Sequence, residues 1–369
     1  MRRVIEIFGE PISWGGQETY VMSTLQNMDL TDICVDFFTP YYCDNEASKI
    51  FIEAHGGRVY VGGLPFRTGG SRREIIPVLH SILCNKAYDV AHIHSGSTSI
   101  LAYSAREASM NGVERIIVHS HSSGLRENIR HFLIKTYAAH IFRSSVTDYC
   151  ACSIEAAKWK FPKDRMEEVK ILRNGIDIEK FSYNKITRQE IRDKYCIDEE
   201  TFVLGHVGRF TYEKNQTFLL DVLQIYTKKF IDKKVRLILV GDGNELEPVR
   251  TKAAALGIGG DVFFVGTSDA VSDYMQCFDI FLFPSLYEGL GIVGIEAQAS
   301  GLPVIASKGI PESMKVTDNV RFVDLHDVSG WCDALNDFEA VERKDTSIEI
   351  KDKGYDIRET AHKVYEMYR

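Results

Sequence analysis

Short runs of β-branched and aromatic residues alternate with longer amphipathic segments along most of the chain. The runs predict buried strands and the amphipathic segments predict helices, a pattern typical of βα units around parallel sheets. The predicted strands cover 4–8, 33–38, 58–61, 89–94, 115–121 and 146–153 in the first half, and 201–208, 235–243, 262–266, 279–285, 303–307 and 320–325 in the second. We therefore expect two doubly wound α/β domains.

The passage between the two halves is rich in turns. Near 170–200 a short strand leads into NGIDIEKF, and a new helix is predicted over 186–195. We place the domain boundary there, with an N-terminal domain over 1–175 and a C-terminal domain over 176–354. The polar stretch 340–354 is expected to be a loop, and 355–369 is expected to be an amphipathic C-terminal helix.

Composition narrows the class of protein. The 369 residues are 44% hydrophobic and 26% charged, typical of globular domains, and the net charge of −8 argues against general binding to nucleic acid. The eight cysteines show no CxxC spacing, so we expect reduced thiols in a cytoplasmic protein. The first apolar stretch ends at Phe8, too short for a signal peptide, and no apolar run is long enough to span a bilayer.

The charge is unevenly distributed. Residues 56–165 contain 15 Lys and Arg against 8 Asp and Glu, a net charge of +7. Within them, 122–145 is a candidate amphipathic helix. Its apolar positions are Leu125, Ile129, Phe132, Leu133, Tyr137 and Ile141, and its basic positions are Arg126, Arg130, Lys135 and Arg143. Two interpretations remain open: the apolar stripe packs on its own sheet, or the helix rests on an anionic membrane surface.

The segment 283–307, FPSLYEGLGIVGIEAQASGLPVIAS, contains the most informative motif. A buried strand ends before Glu288, and Gly289 to Gly291 lead into a helix that contains Glu296. Unpaired backbone N–H groups and the helix dipole favour an anion at such a helix start. The two carboxylates should lie roughly 10 Å apart along the helix, which suits a diphosphate between them with sugar hydroxyls on either side. The alternative is a solvated turn residue and a locally paired helix residue.

A second candidate segment is 205–220, GHVGRFTYEKNQTFLL. Gly208 follows a predicted strand, and Arg209 and Lys214 then offer cations to a phosphate group. Gly15 and Gly16 precede a predicted helix near the N-terminus and form a possible phosphate-facing turn, although the segment is not GxGxxG. A surface Arg and Lys at a strand–helix junction remain the alternative explanation.

Histidines end two predicted strands of the first half. His92 and His94 lie in one, and His119 and His121 in the other. Side chains two apart on a strand point to the same face, so one histidine of each pair is expected at the carboxyl edge of the sheet. The chain contains no DxD, HExxH, GxSxG or P-loop motif, so we expect neither a bound metal nor a cofactor.

Taken together, these segments resemble the retaining, nucleotide-sugar-dependent glycosyltransferases with the GT-B fold, the group often called family 4. The resemblance covers almost the whole chain. It rests on GGQE, HSH, NGID, GR…K, VGDG and, most specifically, on E-x7-E within FPS…EG…EA…GLPV. It implies two Rossmann-like domains that face a central cleft, with the C-terminal helix crossing back to the N-terminal, acceptor-binding domain. The most similar members are enzymes of bacterial capsule and exopolysaccharide synthesis.

The resemblance also implies residue roles. Glu296 would bind the donor ribose, Glu288 the donor sugar, and Arg209 and Lys214 the diphosphate, with the backbone of Leu290, Gly291, Ile292 and Val293. His121 would lie beside the reacting sugar, with His119 as the fallback, and Gly15 and Gly16 would line the phosphate side of the cleft.

The expected activity is transfer of a hexosyl or N-acetylhexosaminyl group, with retention, from a nucleotide-diphosphate sugar, first of all a UDP-sugar. The acceptor would be a saccharide or a lipid-linked saccharide, and the enzyme would act in the cytoplasm or peripherally on the inner face of the plasma membrane. Two other classes stay open: a catalytically silent partner subunit, and a nucleotide-sugar epimerase of the same architecture.

Overall fold

The computed structural model divides into two compact units. Unit 1 contains Met1–Gly175 together with Ile357–Arg369, and unit 2 contains Ile176–Asp356. The structure describes residues 1–13, 15–66, 73–121 and 129–369, apart from the side chain of Arg130. All eight cysteines are free thiols.

Each unit is built on one parallel sheet. The strands of unit 1 are β1 Arg2–Phe8, β2 Ile33–Thr39, β3 Val59–Val61, β4 Val90–Ser95, β5 Arg115–Ser120, β6 Asp148–Ala151 and β7 Val169–Ile171. The strands of unit 2 are β8 Phe202–Val207, β9 Val235–Val240, β10 Val262–Gly266, β11 Ile280–Phe283, β12 Val304–Ser307 and β13 Val320–Val323.

Helices connect successive strands. They are α1 Gly16–Gln26, α2 Glu46–Ala54, α3 Ile75–Asn85, α4 Thr98–Met110, α5 Ile129–Ser145, α6 Ile154–Lys160, α7 Ile178–Phe181, α8 Lys185–Lys194, α9 Gln216–Lys229, α10 Leu246–Ala255, α11 Val271–Cys277, α12 Ile292–Ala299, α13 Val328–Phe338, α14 Ser347–Asp352 and α15 Ile357–Tyr368. Short 3₁₀ turns cover 163–168, 212–214, 259–261 and 312–314. The two α/β domains predicted from the sequence are thus confirmed.

The strand order identifies where a ligand site belongs. The orders are β3-β2-β1-β4-β5-β6-β7 in unit 1 and β10-β9-β8-β11-β12-β13 in unit 2. The direction of strand addition reverses between β1 and β4, and again between β8 and β11. In open α/β sheets, ligands bind beyond the carboxyl ends of the strands at such a reversal. Gly15 and Gly16 follow β1, Arg209 and Lys214 follow β8, and Glu288 follows β11, so these candidates lie beyond strands that flank a reversal.

Burial on both faces explains the apolar strands. In β1, Val4, Ile5, Ile7 and Phe8 are all almost fully buried, as expected when helices cover both faces of a parallel sheet. Glu6 is the exception, because it is buried in the same strand although it is a carboxylate. A buried acid in an apolar strand needs hydrogen-bond partners.

The segment 340–354 is not entirely a loop, contrary to the sequence-based prediction. Helix α14 lies within it, and its Ile350 is completely buried. The Thr346 hydroxyl precedes the helix and donates to the Gln298 backbone oxygen at 2.6 Å. One apolar side chain and one hydrogen bond thus fix a short helix whose surrounding sequence is polar and gives no amphipathic pattern.

Helix α5 covers the described part of the predicted helix 122–145, of which 122–128 lie outside the described residues. Its inward face is formed by Ala138, Ile141 and Phe142, all buried and spaced i, i+3 and i+4. The remaining apolar side chains of the predicted stripe are exposed: Ile129 by 81%, Phe132 by 64%, Leu133 by 62% and Tyr137 by 50%. At 3.6 residues per turn they lie on the other side of the helix. The interpretation that this stripe packs on its own sheet is therefore wrong for these four residues.

Candidate active site

In unit 2, the connection after β8 presents the predicted cations. Gly208 leaves the strand, Arg209 is exposed, and a 3₁₀ turn ends at Lys214 before α9 begins. Gly241, the first glycine of VGDG, has a φ of +137°. A Cβ on Gly241 would lie 2.1 Å from the Gly208 carbonyl oxygen. Glycine is required there because two backbone segments meet without room for a side chain.

The structure brings Lys214 and Glu288 together. Lys214 Nζ lies 2.5 Å from Glu288 Oε1, and both side chains are mostly buried. Ser285 Oγ donates to the same carboxylate oxygen at 2.7 Å, whereas the neighbouring Gly289 is exposed. Lys214 follows β8 and Glu288 follows β11, so adjacent parallel strands deliver a cation and a carboxylate to one sheet edge.

A buried histidine, His206, lies near the end of β8, directly before the connection that presents Arg209 and Lys214. Nδ1 of His206 lies 2.8 Å from the backbone oxygen of Leu282, joining β8 to β11. Burial lowers the pKa of His206 to about 4, so the ring is neutral at pH 7. Gln216 contacts His206 at 3.3 Å and donates to the Arg209 backbone oxygen at 2.9 Å. These contacts fix the backbone that presents Arg209.

Helix α12 begins directly after this pair. Gly291 caps its N-terminus with a left-handed φ of 76°, and a Cβ there would lie 2.9 Å from the Phe283 ring. Leu290, Ile292 and Val293 around the cap are partly buried. The N–H groups of the first helical turn and the positive end of the helix dipole make this start a favourable anion site.

The second predicted carboxylate, Glu296, lies in α12 and is partly buried. Burial raises its pKa to about 7, and the positive charge of Lys180 offsets part of that effect. The carboxyl therefore titrates near neutral pH. A ligand that donates hydroxyl hydrogens to Glu296 would favour the ionised form.

In unit 1, the two predicted glycines lie at the start of α1. Gly15 is the N-cap, with an extended backbone, and a Cβ on it would lie 2.3 Å from Glu18 Oε2. A Cβ on Gly16 would meet no described atom within 4 Å. The start of α1 therefore has room for a side chain at Gly16, whereas at Gly15 the Glu18 carboxylate occupies that space.

The histidines predicted at the strand ends form one cluster. The sheet register places His92 beside Glu6 and His94 beside His119, and Nδ1 of His94 lies 2.8 Å from Nε2 of His121. His119 is completely buried, whereas His121 follows β5 and is partly exposed. Of the two candidates, His121 is therefore the one nearer the surface of unit 1.

The same cluster is the place to ask about a metal ion. Among the described residues, His92, His94 and His119 are the group whose possible ligand atoms come together, all within 4.8 Å of one another. Each of these rings already bonds through at least one nitrogen to another histidine, to Glu6 or to Tyr368, and Nε2 of His119 has no partner among the described residues. The arrangement is a hydrogen-bonded network, and the expectation that no metal takes part stays a prediction.

Three functional candidates were not identified from the sequence. Ser285 orients Glu288, and Glu6 and Tyr368 join the histidine cluster, Tyr368 from α15. A glutamate inside the apolar run VIEIF was a usable signal for Glu6, because buried acids need partners. Tyr368 gave no such signal, since aromatic residues are common on the apolar face of a terminal helix.

The comparisons with known proteins all find glycosyltransferases. A family model described as "Glycosyl transferases group 1" matches residues 187–353. The "Putative glycosyltransferase EpsF" of Bacillus subtilis is 33% identical over 319 residues, covering 85% of this chain and 81% of that protein. A "UDP-Gal:alpha-D-GlcNAc-diphosphoundecaprenol alpha-1,3-galactosyltransferase" of Escherichia coli is 24% identical over 265 residues, covering 70% of this chain and 68% of that protein.

Solved structures share the fold. Anabaena HepE in complex with UDP and glucose has a TM-score of 0.73 at 19% identity, with 99% of each chain covered. A glycosyltransferase from Rickettsia africae has a TM-score of 0.75 at 14% identity, covering 100% of this chain and 97% of that one. At these identities the likeness establishes the architecture alone.

Proposed function

Because the chain belongs to the group 1 glycosyltransferases, we propose that it transfers a sugar from a UDP-sugar to a saccharide or lipid-linked saccharide, with retention, during synthesis of a surface polysaccharide. The observation that carries this proposal is the paired Lys214 and Glu288 beside the start of α12. The exopolysaccharide relative EpsF and the lipid-linked substrate in the name of the E. coli relative support the class of acceptor.

Unit 2 offers what a departing nucleoside diphosphate needs. Arg209 and Lys214 supply positive charge, and the first turn of α12 supplies backbone N–H groups. Groups fixed before the reaction stabilise developing negative charge without reorganisation, which is the largest contribution in many enzymes. When the diphosphate binds, it competes with Glu288 for Lys214. Glu288 is then available to accept hydrogen bonds from the donor sugar, and Glu296 from the ribose.

The reaction proposed is a displacement on one face of the sugar. The acceptor oxygen bonds to the anomeric carbon on the face that the diphosphate leaves, the carbon–diphosphate bond breaks, and the hydroxyl proton leaves with the diphosphate. The transition state resembles an oxocarbenium ion, and His121 lies beside the sugar. Positioning and electrostatic stabilisation then account for catalysis, and no metal is required.

A two-stage experiment tests this function. Thermal unfolding is first followed with a panel of nucleotides and nucleotide sugars, in which a UDP-sugar should raise the Tm most. The stabilising donor is then incubated with candidate saccharides, and the anomeric configuration of the product is read by NMR. An α-linked product from an α-linked donor supports retention. Donor epimerised without an acceptor would identify an epimerase, and stabilisation without turnover of any acceptor would identify a silent subunit.

We further propose that unit 1 contacts an anionic membrane surface through α5, on the cytoplasmic side where nucleotide sugars are made. The support is the exposed apolar group Ile129, Phe132, Leu133 and Tyr137 within the basic stretch 56–165. Exposed apolar side chains flanked by basic residues bind interfaces without crossing them. Among the described residues, no helix combines the length and hydropathy of a membrane span.

A further inference from the structure

A chain of hydrogen bonds runs through the histidine cluster and has Glu6 at its centre. Glu6 Oε2 lies 2.6 Å from Nε2 of His94, and Glu6 Oε1 accepts from the Tyr368 hydroxyl. Nδ1 of His92 lies 2.7 Å from that hydroxyl oxygen, and its Nε2 lies 3.3 Å from Nδ1 of His119. Two series of hydrogen bonds therefore start at the Glu6 carboxylate. The first arm contains His94 and His121, and the second arm contains Tyr368, His92 and His119.

The chemistry of the partners fixes the protons in the first arm. The Tyr368 hydroxyl donates to Glu6 and favours its ionised form, which only accepts, so His94 must be protonated at Nε2. Burial lowers the pKa of His94 to about 3, so the ring is neutral and its Nδ1 is an acceptor. His121 must then donate from Nε2, which leaves its Nδ1 unprotonated. That Nδ1 is buried and has no hydrogen-bond partner among the described residues.

The second arm follows the same logic. Tyr368 donates its one proton to Glu6, so its oxygen accepts from Nδ1–H of His92. His92 Nε2 then accepts from Nδ1–H of His119, and Nε2 of His119 is left as the second buried nitrogen without a partner. Both arms end on lone pairs. Any other proton arrangement would leave a buried N–H without an acceptor, and orphaned buried donors are rarer than orphaned acceptors.

We propose that Glu6 is a positioning residue: through His94 it holds His121 in the Nε2–H tautomer, so that Nδ1 of His121 accepts a hydrogen bond from a hydroxyl of the bound sugar. The hydroxyl contact rests on the proposed function, whereas the tautomer does not. A buried acceptor without a partner is unfavourable, and a sugar hydroxyl would satisfy it. His119, at the end of the other arm, is completely buried, whereas His121 is partly exposed.

Other groups that face the network do not change this proton count. Tyr20 of α1 packs its ring edge on His119 and His121, with centroids 5.0 and 5.1 Å away. Cys150 of β6 is fully buried, and burial raises the pKa of its thiol. Asp148, also in β6, is ion-paired with Arg115 and Lys170. Burial lowers the pKa of His92, His119 and His121 and so keeps these rings neutral. Burial also raises the pKa of Glu6, and the hydrogen bond from Tyr368 opposes that effect.

Nitrogen NMR on protein labelled with ¹⁵N-histidine tests the tautomers directly. Correlation of ring carbon-bound protons with both ring nitrogens identifies the protonated nitrogen of each imidazole, and single His→Gln variants assign the signals. We expect Nε2–H in His94 and His121 and Nδ1–H in His92 and His119. His206 is the internal standard, because its Nδ1 must donate to the Leu282 carbonyl. Protonation of His121 at Nδ1 would overturn the proposal.

Two substitutions separate the arms. A glutamine amide has one accepting and one donating side, so Glu6→Gln cannot accept from both arms and should reverse the tautomers of one of them. If all four rings keep their tautomers, Glu6 does not set them. Tyr368→Phe is the matched control, since it interrupts the second arm alone and should leave His94 and His121 unchanged. If Glu6→Gln does not fold, the wild-type tautomers and the Tyr368→Phe control still decide.

Titration with UDP-glucose tests the hydroxyl contact. On binding, the Nδ1 signal of His121 should shift as it accepts a hydrogen bond, while Nε2 of His119 should not. Binding detected by thermal shift without a change at His121 would overturn the contact. If UDP-glucose does not bind, the proposed donor class fails for this sugar, and the tautomer assignment still decides the role of Glu6.

Discussion

Single residues at the site differ in how their protonation responds to a ligand. Glu296 combines partial burial with a pKa of about 7, whereas His206 beneath the neighbouring loop is neutral throughout the physiological range. In the proposed binding mode the ribose hydroxyls would stabilise the carboxylate, so a bound nucleotide sugar would change the charge of Glu296.

Binding of a nucleotide sugar should release protons. A carboxyl that titrates near pH 7 and becomes fully ionised on binding releases a fraction of a proton per site at that pH. The sign follows from the raised pKa of Glu296. The affinity for the nucleotide sugar should increase as the pH rises through about 7. The stability that the protonated carboxyl contributes to folding is complete below its pKa in the unfolded chain and is lost as the pH rises through about 7. Calorimetry with UDP-glucose in two buffers of different ionisation enthalpy measures the release. Glu296→Gln should abolish the buffer dependence.

Removal of the Lys214 charge should lower kcat/KM. A charge-assisted hydrogen bond is worth roughly 1.5–3 kcal/mol, so Lys214→Ala should lower kcat/KM by about ten- to a hundredfold. The control is Lys229→Ala, which breaks a surface ion pair of similar length with Asp333, 2.7 Å, in the same unit. Wild-type kinetics in Lys214→Ala would contradict the proposed role.

At the scale of elements, the start of α12 is the most constrained feature of unit 2. Its entry depends on a left-handed glycine packed against an aromatic ring. The helix axis, and with it the N–H groups of the first turn, is therefore fixed by backbone geometry that a side chain would disturb.

Gly291→Ala should destabilise unit 2 and weaken donor binding. A left-handed alanine costs about 1–2 kcal/mol, and its Cβ would crowd the Phe283 ring. Denaturant unfolding should show a loss of about 1–3 kcal/mol, and donor affinity should fall in the same variant. Gly289→Ala is the matched control two residues away, where a Cβ meets no described atom within 4 Å. Equal effects in both variants would refute the geometric argument.

Helix α5 makes a separate prediction for unit 1. Replacing Phe132 and Leu133 by serine removes exposed apolar surface and should reduce flotation with anionic vesicles while leaving Tm nearly unchanged. Ile231→Ser, at an isolated isoleucine that is 84% exposed in unit 2, should float as the wild type does. If the wild-type protein does not bind anionic vesicles at low salt, the membrane proposal fails.

At the scale of the whole molecule, unit 1 depends on a helix that follows unit 2 in the sequence. Helix α15 packs against α1, and its Val364, Met367 and Tyr368 are buried in the core cluster that includes β1 and β2. The stability of the first 175 residues is therefore not a property of those residues alone.

Met367→Ala should loosen unit 1 selectively. A buried methionine truncated to alanine costs about 2–5 kcal/mol. Hydrogen exchange followed by mass spectrometry should show faster exchange in β1 and α1, with unit 2 unchanged. Met314→Ala, at a completely buried methionine of unit 2, should give the opposite distribution. Uniform acceleration in both variants would mean that the two units unfold together.

The sequence was informative where the physical cause is local. Apolar runs located the strands, and glycines followed by Arg209, Lys214, Glu288 and Glu296 located the unit 2 candidates, because strand ends and helix starts have local signatures. Strand order was not readable, yet it is the order β8-β11 that makes Lys214 and Glu288 neighbours. The exposed face of α5 was also not readable, since periodicity reports that a stripe exists and not what covers it.

The bond between Glu6 and Tyr368 joins residues 362 positions apart. During synthesis Glu6 leaves the ribosome early, and its partner is made only after the whole of unit 2. Until then the carboxylate lacks one of its two hydrogen-bond donors, and α1 lacks the helix that packs against it. A nascent chain of this protein should accordingly keep unit 1 open to proteases and chaperones through most of translation, and acquire resistance late and abruptly.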